Sequence, residues 1–165
     1  MPTERDQLIR WLNDAYMMEL AIEENLSKHA TRARDFPDWH DRLQEHLEET
    51  RNHANLVRSC IERLGGSVSN AQAIVGEILG RLQGLSTTIY KDELIKIVLA
   101  DYAVEQFEIA CYESLIVAAA QAAQPEIVAI CDAILDEEME MADWLRIQIP
   151  SMTAAFLLGE PATAG

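Results

Sequence analysis

The sequence predicts an all-α protein: an antiparallel bundle of four long helices arranged as two hairpins. Three observations carry that expectation. Apolar residues recur with helical period in four stretches of about 25 to 30 residues, enough for helices roughly 40 Å long. Glycine and proline are sparse, seven and five in 165 residues, too few for a turn-rich β fold. Pro37 and Pro125 each follow a short break in the pattern, so each pair of stretches should fold back on itself.

The first helix is expected from about Thr3 to Thr31. The second opens at Pro37, where proline suits the first turn, and ends at Gly65-Gly66. The third runs from about Lys91 to Gln121. The fourth opens at Pro125 and should stop before Pro150, because proline has no amide to donate within a helix. Between the second and third lies a longer stretch, Ser67 to Tyr90, with a weaker helical patch around Ala71 to Leu82. One long crossover between two hairpins is the connectivity of ferritin-like bundles. Residues 1–165 thus read as a single domain, with the bundle at about 3–149 and a tail at 150–165. In that tail Ser151 to Leu158 should add a short apolar turn, and Glu160 to Gly165 should fray.

Composition narrows the function classes. Thirteen Lys and Arg stand against 28 Asp and Glu, a net charge of −15. Such a surface repels nucleic acid and anionic membranes, neither of which is expected as a partner. Nearly half the residues are apolar, at 49%, so a substantial core can form. The longest uncharged runs are too short to span a bilayer, and no basic region followed by an apolar stretch opens the chain. Cys60, Cys111 and Cys131 are odd in number and form no CxxC motif, so they read as reduced thiols of a cytoplasmic protein.

The apolar seams break where chemistry would sit. In the first helix the seam reads Leu8, Leu12, Ala15, Glu19, Ile22, Leu26. In the second it reads Trp39, Leu43, His46, Thr50, His53, Val57, Cys60, Leu64, with Glu49 beside it. The third gives Leu94, Val98, Asp101, Glu105, Glu108, Tyr112, Leu115, and the fourth Val128, Cys131, Leu135, Glu138, Ala142, Leu145. Each is apolar at its ends and ionisable near its middle. Glu19, Glu49, Glu108 and Glu138 lie near the midpoints of their helices, and midpoints share one height in an antiparallel bundle. The spacing repeats: 49 − 19 and 138 − 108 both give 30, so the hairpins read as an internal repeat offset by 89 residues.

Four desolvated carboxylates cannot all stay ionised alone, because each charge taken out of water costs several kcal/mol. The remedies are buried cationic side chains, shared protons or metal ions. Arg51 and Lys28 fall off the seams, whereas His46 and His53 fall on them. Metal cations are the remedy that uses both carboxylates and imidazoles, and such donor sets suit iron or manganese. Glu105, one turn from Glu108, is a candidate further ligand. Tyr16 and Tyr112 lie one turn from Glu19 and Glu108 and are expected to pack or to donate hydrogen bonds beside the ligands. Met17, Met18, Met139 and Met141 are expected to fill the core. Glu23, Glu24, Glu137 and Glu140 are expected on solvated faces or at an entrance.

Four segments resemble the YciE/YciF-like branch of ferritin-like bacterial proteins, whose cellular role is often linked to stress. They are Asp14-Ala15-Tyr16-Met17-Met18-Glu19, His46-Leu47-Glu48-Glu49-Thr50, Val104-Glu105-Gln106-Phe107-Glu108-Ile109-Ala110-Cys111-Tyr112 and Leu135-Asp136-Glu137-Glu138. The similarity covers about Gln7 to Leu158. The resemblance implies a four-helix bundle, commonly dimeric, with a dinuclear metal site. Ferritin-like proteins carry Glu-x-x-His on helices two and four. Here Asn52 stands three residues after Glu49, and Met141 three after Glu138. The YciF-like pattern usually has Gln at the place of His53 and often His at the place of Gln106, so the ligand shell is rearranged.

The expected metal ligands are therefore Glu19, Glu49, Glu105, Glu108 and Glu138, with His53 or His46 as nitrogen donor. The expected cofactor is two metal ions, iron first, with manganese or zinc as alternatives. The expected protein is a homodimer that reacts with dioxygen or peroxide, in the manner of a ferroxidase or a catalase. Two other readings stand beside it: a metal-free helical interaction protein, and a structural site holding one zinc ion.

Overall fold

Thr3 begins the first helix by capping it. Its Oγ1 accepts from the amide of Asp6 at 3.1 Å, while its own amide donates to Asp6 Oδ2 at 3.0 Å. This reciprocal pair satisfies two amides that the first turn leaves without partners. The computed structural model describes residues 3–68, Gly80 and residues 93–159. Within them lie four helices: α1 (Glu4–Arg32), α2 (Pro37–Arg63), α3 (Glu93–Gln121) and α4 (Pro125–Leu158). The expected start at Lys91, the patch at Ala71 to Leu82 and the segment Glu160 to Gly165 lie outside the described residues.

Short turns make the two hairpins. Pro37 and Pro125 occupy the first turns of α2 and α4, where a missing amide costs nothing. α2 ends in a Schellman turn: Gly65 takes a left-handed φ of 68°, and the amide of Gly66 donates to Ile61 O at 3.0 Å. α3 ends the same way, but with an alanine in the left-handed position. Ala123 has φ 53°, and the amide of Gln124 donates to Ala119 O at 2.9 Å. Arg5 fastens the open end of the first hairpin by donating to Leu64 O at 2.7 Å.

α4 differs from the expected length. It runs through Pro150 to Leu158 and ends at Gly159, whose φ is 69°. Two side chains bond backbone carbonyls beside the proline: Ser151 Oγ donates to Gln148 O at 3.0 Å and Thr153 Oγ1 to Ile149 O at 2.7 Å. Met152 is buried in the core just past the proline, so packing offsets the lost backbone bond. No helix among the described residues is long and apolar enough to cross a membrane.

The hairpins face each other α1 to α3 and α2 to α4. His29 of α1 meets Asp101 of α3 at 2.8 Å, and Tyr112 donates to Glu19. His53 of α2 meets Glu137 of α4 at 2.6 Å, and Arg63 pairs with Glu126. In both cases later residues of one helix meet earlier residues of the other, so both pairs are antiparallel. Leu8, Leu12, Leu43, Val57, Val98, Ile134 and Leu145 fill the interior above and below the ionisable layer. Trp39 and Trp144 join α2 to α4 edge to face, their ring centroids 4.7 Å apart. Cys60, Cys111 and Cys131 are free thiols.

Candidate metal centre

Four carboxylates and two imidazoles meet in the middle of the bundle. Glu19, Glu105, Glu108 and Glu138 are each 1% exposed or less, and His46 and His53 are fully buried. All but Glu108 fall into two groups. Glu19, His53 and Glu138 form one, and His46, Glu105 and Glu138 form the other; within each, one donor atom per residue lies within 4.8 Å of the others. Glu138 belongs to both, one oxygen to each. Its Oε1 lies 2.8 Å from His53 Nδ1, and its Oε2 lies 3.6 Å from His46 Nε2.

The inward donor atoms are short of hydrogen bonds. His46 Nε2, His53 Nδ1, Glu19 Oε2, Glu105 Oε2 and both oxygens of Glu108 and of Glu138 are buried without one. The outward nitrogens, by contrast, are held. His46 Nδ1 lies 2.7 Å from Glu49 Oε2, and His53 Nε2 lies 2.6 Å from Glu137 Oε2. Tyr112 is fully buried and donates to Glu19 Oε1, which leaves Oε2 free to face His53 at 3.8 Å.

Desolvation and mutual repulsion dominate the electrostatics. Burial, reinforced by Glu138 and opposed by His53, pushes the Glu19 carboxyl up to about 8. Burial pushes Glu138 up to about 7 against the pull of the His53 ring beside it. Glu108 is driven well above the usual carboxylate range by burial first, and then by Glu138, Glu105 and Glu19. Burial disfavours the imidazolium of His53, yet Glu138 and Glu19 outweigh it and carry the ring to about 9. His46 likewise rises well above the ordinary imidazole value, burial being outweighed by Glu105, Glu49 and Glu138. Tyr112 is raised by burial and by the Glu19 beside it.

Of the four carboxylates expected in one layer, the structure brings Glu19, Glu108 and Glu138 together, with Glu105 as a fourth. Glu49 stands at the rim. Its side chain is 26% exposed and lies between His46 Nδ1 and Arg42 Nη1, the latter at 3.4 Å. The His46 hydrogen bond holds the Glu49 carboxyl below its usual value. The residue facing inward is Thr50, one position on, and its hydroxyl donates to His46 O at 2.9 Å. Both histidines, not one, reach the interior.

Of the two tyrosines, Tyr16 packs half-buried against the core beside Arg58, and Tyr112 donates to Glu19. One other expectation shifts. Met139 is exposed on α4 rather than packed, whereas Met18 and Met141 are buried.

Glu137, expected on a solvated face or at an entrance, makes a contact that its place beside the seam does not announce. Its side chain is 44% exposed, yet its carboxylate fixes a fully buried imidazole. A signal for it was present. The helix starts Pro37 and Pro125 are separated by 125 − 37, or 88 residues, and so are Glu49 and Glu137. The 89-residue offset fits α1 and α3, where Glu19 and Glu108 are both buried. For α2 and α4 the offset is one less, because four residues join α1 to α2 and three join α3 to α4. In that register Glu138 corresponds to Thr50 and Met141 to His53.

The family model described as domain of unknown function (DUF892) matches residues 3–158. The chain belongs to this family. A solved structure of a protein from Xanthomonas campestris pv. campestris is 36% identical, with a TM-score of 0.82 over 95% of this chain and 98% of that one. The Escherichia coli stress protein YciF is 22% identical, with a TM-score of 0.79 over 97% of this chain and all of that one. The ferritin-like diiron-carboxylate proteins of Bacillus anthracis share 16% identity and a TM-score of 0.72, covering 90% of this chain and 99% of theirs. The DUF892 chain thus has the ferritin-like four-helix fold, shared with the YciF structure.

Proposed function

We propose that this DUF892 chain binds two metal ions in the centre of its bundle, iron first, with manganese or zinc as alternatives, and that a redox-active pair, iron or manganese, reacts with dioxygen or peroxide. The observation that carries this reading is Glu138, whose two unpaired oxygens face two separate donor groups. Four carboxylates with two neutral imidazoles leave four negative charges, which two divalent cations balance. One imidazole per ion among oxygen donors suits iron or manganese. A buried cluster of orphaned donors is otherwise costly, and protons alone would leave most of these atoms without partners.

Each residue has a definable task. Glu19 and His53 would hold one ion, Glu105 and His46 the other, with Glu138 between them and Glu108 close to both. Glu49 and Glu137 accept from the outward ring nitrogens, which fixes the tautomer and aims the other nitrogen inward. Tyr112 donates to one oxygen of Glu19 and so selects which oxygen remains for an ion. When bound, a pair of redox-active ions would supply two electrons to dioxygen or peroxide.

Metal analysis tests the reading directly. Protein purified without chelator and loaded with Fe(II) under argon, or with Mn(II), should hold about two ions per chain and melt at a higher temperature than the metal-free form. In Glu138→Gln loading should fall below one ion per chain, and most of the metal-dependent gain in melting temperature should disappear with it. A ratio near zero for both metals would overturn the reading. One zinc per chain with no uptake of iron would replace it with a structural site.

A further inference from the structure

A second cavity lies between α1 and α3, apart from the carboxylate centre. Its volume is about 380 Å³, within the range of small-molecule sites. Trp11 and Met18 of α1 and Phe107 and Leu115 of α3 line it, and the small Ala15 and Ala110 leave the space open. Met18 precedes Glu19 and Phe107 precedes Glu108 in the chain, so successive positions on the same two helices serve the two sites.

One carboxylate lines this apolar slot. Asp14 is partly buried, and among the described residues no Lys or Arg forms an ion pair with it. Burial raises its carboxyl, and no nearby cation offsets the effect. The Cys111 thiol of the same cavity is pushed up to about 11, by burial first and by Asp14 next. That thiol is therefore protonated at neutral pH and a poor nucleophile, which argues for non-covalent binding. The Ser114 hydroxyl donates to Ala110 O at 2.9 Å and so already has an acceptor. What remains is an aromatic-walled apolar slot with one uncompensated negative charge.

The geometry points to a binding site for a small organic cation with an apolar body, of the aryl-alkylammonium class. The body fills the space between Trp11 and Phe107, and the ammonium group meets Asp14. A carboxylate in a partly desolvated slot attracts a cation more strongly than one in open water. Indole and phenyl faces add to that attraction. Ligand binding here does not depend on metal in the bundle centre.

Calorimetric titration with phenethylammonium, phenethyl alcohol and phenylpropanoate tests the assignment, in metal-free and Mn(II)-loaded protein. The ammonium compound should bind about tenfold more tightly than the alcohol, as expected for a charge-assisted hydrogen bond. The carboxylate should not saturate the site. Asp14→Asn should bring the ammonium compound down to the affinity of the alcohol and leave the alcohol unchanged. Ala110→Leu should abolish both. Equal affinities for the three compounds, or a cation preference that survives Asp14→Asn, would overturn the proposal. So would a concentration-dependent dimer that Ala110→Leu dissolves and that excludes all three compounds, which would make a second copy the occupant. Failure of metal loading with these results intact would remove the dimetal reading alone.

Discussion

In the hairpin α1–α2, the centre receives Glu19, His46 and His53; in α3–α4 it receives Glu105, Glu108 and Glu138. The two halves share their backbone plan: a long helix, a short turn, a proline at the start of the second helix and a rim acid one position from the seam. They differ in donors. Both inward nitrogens come from the first hairpin, and three of the four inward carboxylates come from the second. An empty centre is therefore held partly by attraction across the hairpin interface, imidazole against carboxylate. A loaded one would draw oxygen mainly from one half and nitrogen only from the other.

The comparison breaks most severely at Glu138. Glu138→Ala should reduce loading from about two ions per chain to less than one, because both groups lose a shared donor. The neighbouring groups should feel less: Glu19→Gln and Glu105→Gln should each cost about one equivalent, from opposite sites. Mass spectrometry under non-denaturing conditions reads these counts directly.

The histidines sharpen the comparison. His46→Gln and His53→Gln should each remove one ion and spare the other, although both changes lie in the same hairpin. If either abolishes both ions, the two groups are not separate sites. The rim acids come next. Glu49→Gln and Glu137→Gln should weaken metal binding by roughly 10- to 100-fold each, since both act only through the ring they orient. Competition with a fluorescent chelator measures this, and matching losses from the two hairpins would support their equivalence.

The metal-free protein should lose stability as pH rises. Glu19 and Glu138 have folded values of about 8 and about 7 against 4.5. Between 4.5 and those values the unfolded chain releases protons that the folded chain keeps, so rising pH favours unfolding. His53 acts in the same direction: its folded value of about 9 gives stability that is full below 6.5 and is lost as pH passes 9. The melting temperature of metal-free protein should therefore fall between about pH 5 and 9, and Glu138→Gln should flatten the slope. Metal reverses the trend, because its ligands must shed protons. The smallest effect concerns the turns. Ala123→Gly should stabilise the second hairpin by about 1 kcal/mol by relieving a left-handed alanine, without altering metal content. Chemical denaturation measures that gain.

Much of this was legible in the sequence, for identifiable reasons. The helix starts follow from Thr3, Pro37 and Pro125, local signals that tertiary packing had no cause to override. Glu19, Glu105, Glu108, Glu138 and both histidines were found because ionisable residues interrupted otherwise apolar seams. Glu49 was placed one step too far inward because the offset of α1 and α3 was extended to α2 and α4, and one residue turns a helix by roughly 100°. Pro150 misled because the local rule ignores the burial of Met152 beyond it. Glu137 escaped notice because an acid beside a seam resembles any solvated acid until its partner across the interface is known.

The one-residue difference between the two turns also bears on ancestry and redesign. Had the chain arisen by doubling of a single hairpin, one insertion or deletion at a turn would account for the slip between 89 and 88. In these registers His46 corresponds to Ile134 and Glu105 to Tyr16, beside Thr50 to Glu138 and His53 to Met141, so the present centre departs from twofold symmetry at four pairs of positions. Thr50→Glu with Met141→His would write Glu-x-x-His into both halves, at positions already buried. The asymmetry of this centre is thus a property of a few side chains, laid over a scaffold that repeats itself.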